Sequence, residues 1–236
     1  MPIDEPYDAI EKQYLDESNP VLKKLLELAG KFDRGFALFN LLGAWFSPDV
    51  MMAKIQALLE QLIIDIRRHE AMLGKSFDTT DIFEAPGFAE AVVTAMDESV
   101  RTADEKKIKR YAMVLSSGMT SGPLTNWEEV AAYIRDLSRL TDADIAILRI
   151  LHDSQARIFQ DPSQITNPNN FTEKMPELLK AVDESKIPHD DFYARCARLN
   201  GFGLALEVQR SNRYAPGEHC FRMTGRGYEL MKMLIG

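Results

Sequence analysis

The stretch that decides the fold runs from Leu199 to Ile235: "LNGFGLALEVQRSNRYAPGEHCFRMTGRGYELMKMLI". Just upstream, Phe192, Cys196 and Leu199 stand at i, i+4 and i+7, one face of a helix, with Phe202 beside it. Gly203 stands where a left-handed helix end is expected. Leu204, Leu206 and Val208 then alternate with Ala205, Glu207 and Gln209, which predicts a strand burying its leucine face. "SNRYAPGE" has the chemistry of a turn, with Asn212, Pro216 and Gly217 close together. Phe221 and Met223 alternate again as a return strand. Thr224 is placed to cap a last helix, "GRGYELMKMLI", with Leu230, Met233 and Leu234 predicted to face inward.

Working back from this hairpin, "TDADIAILRILHDS" opens on Thr141 and Asp144, a capping-box spacing with aspartate in the position usual for glutamate. Ile145, Ile147, Leu148, Ile150 and Leu151 cover most of that helix's circumference, so it should be buried between layers. Residues 155–170 show no periodicity and read as a long loop. A helix is expected at about 172–184, and "KIPHDD" leads into the helix before the strands. Upstream of 140 the chain reads as successive helices. "SPDVMMAKIQALLEQLIIDIRRHEAMLG" is bounded by Ser47, Pro48 and Gly74, with Ile55, Leu58, Leu59, Leu62, Ile63 and Ile66 at helical spacing. The block "PGFAEAVVTAMDESVRTADEKKIKRYAMVLSSG" predicts two helices broken near Thr102. Its charged "DEKKIKR" reads as a solvated face in which Asp104 partners Lys107 or Lys109. "GMTSGPLTN", residues 118–126, is the clearest linker, and Asn126 is placed to cap the next helix. Two domains are therefore expected: an acidic helical one over 1–125 and a second over 126–236.

"RLNGFGLALEV" followed by "FRMTGRGYELMKML" resembles the C-terminal pattern of many bacterial winged helix-turn-helix regulators. In these a helix ends at a glycine, an apolar strand follows, and an aromatic-x-apolar-Thr-x-x-Gly segment opens the last helix; here that segment is Phe221, Met223, Thr224 and Gly227. The resemblance covers residues 141–236, with the first two helices further apart than is usual in that family. A second resemblance, of layout, is to abortive-infection (Abi-alpha-like) phage-defence proteins. It rests on "KIKRYAMVLSSG" leading into "IRDLSRLTDADIAILRIL". The expected fold is mostly α: an N-terminal helical bundle followed by a winged-helix domain with a short antiparallel β-hairpin.

The resemblance implies a DNA-binding regulator. Its recognition helix would present Arg195 and Arg198 to the major groove, and its wing Arg210, Arg213 and Tyr214 to the backbone or minor groove. Charge supports this locally. Residues 191–236 carry seven basic groups against four acids, in a chain of formal net charge −8. That overall charge argues against indiscriminate coating of nucleic acid. The helices before residue 126 would supply dimerisation or an effector surface, which makes a homo-oligomer the expected state. A different reading fits the same residues. Ala194, Ala197 and Gly201 suit packing against a protein partner, and Asp190 and Asp191 would repel phosphates; the arginines would then pair with carboxylates.

Enzymatic chemistry finds no foothold. Cys196, His189, His219 and Cys220 do not have the spacing of a compact zinc site, so no metal or other cofactor is expected. His152–Asp153 and Glu218–His219–Cys220 are neighbours in sequence only, and His152 reads as a helix-end residue near the C-terminal dipole. Trp45 and Trp127 read as core. "FALFNLLGAWF", Phe36–Phe46, is shorter than the roughly 20 residues needed to span a bilayer and reads as a buried helix. Two cysteines and an acidic "MPIDEPYDAIEK" start suggest a reducing cytoplasm and no secretory signal.

Overall fold

The computed structural model describes residues 48–73, 80–121, 125–158, 175–207 and 221–235. The chain divides into two compact units, the first ending at Arg139 and the second spanning Leu140–Ile235. Among the described residues the fold is mostly helical, with one two-stranded antiparallel sheet. Ser47, Gly74, Trp45 and Phe36–Phe46 lie outside them.

The first unit contains α1 (Pro48–Leu73), α2 (Thr80–Phe83), α3 (Phe88–Arg101), α4 (Glu105–Thr120) and α5 (Trp127–Arg139). The predicted stripe of α1 is its inner face: Ile55, Leu58, Leu59, Leu62 and Ile66 are buried with Met51, and Ile63 is half-buried. Through it α1 packs on α3 and α4. The break near Thr102 occurs as the sequence predicts, with Thr102 extended. Asp104 does not partner Lys107 or Lys109 across a solvated face: it caps α4, accepting from Lys106 N at 2.9 Å, and Lys107 Nζ reaches the Ser138 carbonyl at 2.6 Å.

Helix α4 continues through Thr120, past the point where the linker was expected to begin. Gly118 explains the overrun. The Trp127 indole lies on it so closely that a Cβ there would stand 3.0 Å from Trp127 Cζ3. The same indole meets Phe88 edge to face, ring centroids 4.7 Å apart. Asn126 accepts from Glu129 N at 3.3 Å and opens α5 as expected. Because Trp127 anchors α5 to α3 and α4, the compact unit closes at Arg139; the boundary read at 125/126 moves to 139/140.

The second unit comprises α6 (Asp142–Ile158), α7 (Met175–Glu184), α8 (His189–Gly201), β1 (Ala205–Glu207), β2 (Phe221–Met223) and α9 (Gly225–Ile235). Helix α6 runs to Ile158, so the start of the expected 155–170 loop is helical. Its burial is one-sided rather than all-round: Ile147, Leu148 and Leu151 are fully buried, Ile145 and Ile150 only half. His152 is consequently not at the helix end. Its ring stacks on Tyr228 with centroids 5.2 Å apart.

Phe192, Cys196 and Leu199 form the buried face of α8, as their spacing requires. Gly203 adopts φ 68°, and Leu204 N returns to the Leu199 carbonyl at 3.0 Å, closing the helix. β1 and β2 pair with Ala205 opposite Met223 and Glu207 opposite Phe221. The strand's inward face is the reverse of the expected one: Ala205 is buried and Leu206 is 41% exposed. Leu204, buried in the bend before the strand, gives its carbonyl to Thr224 N at 3.1 Å. The chain turns there, and the alternation restarts at Ala205, over Met223. Thr224 caps α9 as predicted, its Oγ1 accepting from Gly227 N at 3.0 Å and donating to the Gly203 carbonyl at 2.6 Å. On α9 the inward residues are Gly227, Leu230 and Met231; Met233 and Leu234 are only half-buried.

Two stability measurements follow. A Cβ on Gly227 would collide with the Leu204 carbonyl oxygen and stand 2.9 Å from Met223 Cγ. Gly227→Ala should therefore cost about 1–3 kcal/mol in urea unfolding, the scale of overpacking. Gly225→Ala, which meets nothing within 4 Å, should be neutral or stabilise by up to about 1 kcal/mol through helix propensity. Equal effects would refute the close helix–strand approach.

The second concerns Asp65, buried on α1, whose Oδ1 accepts from Gln61 Nε2 at 3.0 Å while Oδ2 has no hydrogen-bond partner. Desolvation pushes its carboxyl above the usual range, outweighing Gln61, His69 and Arg68. At a pH between the unfolded-state and folded-state values, the folded state thus keeps a proton that the unfolded chain has released. The associated stability is present below the unfolded-state value and lost as pH rises through the folded-state value. The stability of Asp65→Asn relative to the parent should accordingly increase as pH is raised through the weakly acidic range, read as the difference in urea midpoints.

Candidate nucleic-acid interface

The expected interface is the outward side of α8, and its geometry begins at the other end of the unit. Thr141 and Asp144 form the capping box at the start of α6. Asp144 Oδ2 accepts from Thr141 N and from Thr141 Oγ1, both at 2.8 Å, and Thr141 Oγ1 accepts from Asp144 N at 3.2 Å. This leaves a carboxylate with no exposed surface next to α8.

Both arginines expected to read DNA converge on it. Arg195 Nη1 lies 3.3 Å from Asp144 Oδ1 and 3.3 Å from Thr141 Oγ1, and Arg195 Nε donates to both oxygens of Asp191 at 3.0 Å. Arg198 Nη1 lies 3.5 Å from Asp144 Oδ2. The hydrogen bond to Asp191, ahead of the opposing desolvation and the contribution of Asp144, holds the Arg195 guanidinium more firmly in its charged form. The two side chains differ in access: Arg195 retains 26% exposure and Arg198 46%. Arg195 is thus wedged between two carboxylates, whereas Arg198 reaches Asp144 from a more exposed position.

Around them, Ala194, Ala197 and Gly201 are exposed on the face opposite Phe192, Cys196 and Leu199. Asp190 and Asp191 occupy the first turn, where they suit the helix dipole. Neither acts as the cap; Pro188 precedes the helix and offers no side-chain cap. With His189 neutral, the charges of α8 cancel. Lys186, in the turn between α7 and α8, takes the left-handed φ of 58°. Arg210, Arg213 and Tyr214, together with His219 and Cys220, lie outside the described residues. Among the described residues there is no group of three or more histidines, cysteines or acids that could hold a metal ion, and no helix long and apolar enough to cross a membrane.

The capping box was legible in the sequence, but its second use was not. Nothing in the spacing of Thr141 and Asp144 announces that residues more than fifty positions later will lie on the same carboxylate. No protein-family model, curated protein or solved structure matches the chain.

If Asp144 both caps α6 and ties it to α8, Asp144→Ala should lose about 2–3 kcal/mol, combining a lost cap with lost charge-assisted hydrogen bonds. Chemical denaturation of the full chain measures it. Thr141→Ala, which leaves the Asp144–arginine contacts in place, should lose less.

Proposed function

We propose that residues 140–235 form a winged helix that binds duplex DNA, and that the chain is a non-enzymatic regulatory protein. One observation carries the reading: α8 presents Ala194, Ala197 and Gly201 outward, with the half-exposed side chain of Arg198 beside them. Small side chains permit close approach to a groove, and a guanidinium suits phosphate or guanine. The order α6, α7, α8, hairpin, α9 supports the winged-helix assignment.

Within this reading the two arginines have different roles. Arg198 is the contact residue: it exchanges Asp144 for a phosphate or base edge. Arg195 is a positioning residue. When Arg198 leaves, Thr141 and Arg195 still satisfy the buried Asp144 carboxylate, so the exchange does not strand a buried charge. The reading also assigns DNA contact to Arg210, Arg213 and Tyr214, which lie outside the described residues.

A second reading is favoured by a specific observation: the charges of α8 cancel, and both its arginines already lie on carboxylates. In that case the Ala194–Ala197–Gly201 face docks a protein partner, in a phage-defence or stress-related interaction protein.

Fluorescence anisotropy with random-sequence duplex DNA over a salt series separates the two. DNA binding through Arg198 predicts affinity that falls steeply with salt, and Arg198→Ala should weaken binding and reduce the log–log slope by about one phosphate contact. A folded protein that fails to bind at low salt favours the protein-partner reading.

A further inference from the structure

Among the described residues, helix α1 has a second face that is exposed. Opposite its buried stripe, Val50, Ala53, Ala57, Glu60, Ile64, Arg68 and Ala71 fall along one line of the helix at three- and four-residue spacing, and every one is exposed. Ile64 is 57% exposed and Val50 46%, and Met72, 59% exposed, flanks the line. An isolated exposed isoleucine needs no explanation, but an aligned apolar row along a 26-residue helix does.

The charges on this row have a symmetry. Glu60 lies four residues before Ile64 and Arg68 four residues after it, and Ala57 and Ala71 stand seven before and seven after. Rotating a copy of α1 by a half-turn about an axis through Ile64 sets Ile64 against Ile64. It also sets Glu60 opposite Arg68, twice, and Ala57 opposite Ala71, twice. A face complementary to itself under a two-fold rotation is what an isologous interface requires. A parallel in-register pairing would instead place Glu60 on Glu60 and Arg68 on Arg68. The alanines admit close approach of the two helices, and α1, at about 1.5 Å per residue, offers roughly 39 Å of length.

We propose that α1 pairs antiparallel with α1 of a second copy of this chain, about a two-fold axis at Ile64, and that the protein is a dimer through this face. Glu60, which also accepts from Gln56 Nε2 at 2.9 Å, turns its carboxylate to the partner's guanidinium. This inference is independent of DNA binding, since it concerns a helix of the first unit.

The test is sedimentation velocity of the full chain over a concentration series, with three variants whose changes lie on the exposed row and leave the buried stripe of α1 untouched. Glu60→Arg and Arg68→Glu each place like charges across the axis twice. Each should raise the dimer dissociation constant about tenfold or more, given that like-charge contacts in an interface cost several kcal/mol. The double variant Glu60→Arg/Arg68→Glu restores opposite charges and should return the constant to near the parent value. As a geometric check, Ile64→Cys combined with Cys220→Ser should form a disulfide-linked dimer on mild oxidation, whereas Val50→Cys in the same background should not. Far-UV circular dichroism confirms that each variant is folded. A parent chain that is monomeric throughout overturns the proposal. So does a dimer indifferent to the single charge reversals, or one not rescued by the double variant.

Discussion

The second unit is organised around one buried charge. A carboxylate without exposed surface is tolerated only where hydrogen bonds and opposite charge replace the water it has lost. Asp144 obtains these from two directions, the backbone and hydroxyl of Thr141 within its own helix start and the guanidinium groups of Arg195 and Arg198 from α8. The same group therefore starts α6 and sets where α8 lies against it. Phe192, Cys196 and Leu199 supply the apolar contact beneath, but apolar contact alone does not fix a helix's rotation as sharply as a directional pair.

A comparable economy joins α8, the hairpin and α9. Gly203 turns the chain in a left-handed conformation. The Thr224 hydroxyl bonds the Gly203 carbonyl and caps α9, and Gly227 lets that helix approach the Leu204 backbone. Three residues spread along the chain thus position two strands of three residues each, which would be marginal by themselves. Glycine is required at 227 by space rather than by backbone conformation, and at 203 by conformation rather than by space.

In the first unit, Trp127 plays the anchoring part. Seated on Gly118 and edge to face with Phe88, it joins α5 to α3 and α4 and extends the unit past the Gly- and Ser-rich segment that looks like a boundary. Composition marks where a chain can bend; where a compact unit ends depends on which side chains are buried across that bend. Helix α1, by contrast, has one face committed to this core and one left outward, with a charge pattern symmetric about Ile64.

Much of this was determined by the sequence alone, and for local reasons. Helix starts at Asn126, Thr141 and Thr224, the break at Thr102, the left-handed Gly203 and the buried face of α8 all follow from interactions within a few residues, where spacing is geometry. The tertiary structure decided what depends on distant neighbours. Ala205 rather than Leu206 turned inward, because the bend at Leu204 reset the alternation. Met231 rather than Met233 and Leu234 became fully buried, because the approach at Gly227 set the rotation of α9. Arg195 and Arg198, selected in the sequence for their charge, were placed on Asp144 because helices far apart in the chain pack side by side. A cation's role depends on which anion reaches it first, and only the folded chain determines that.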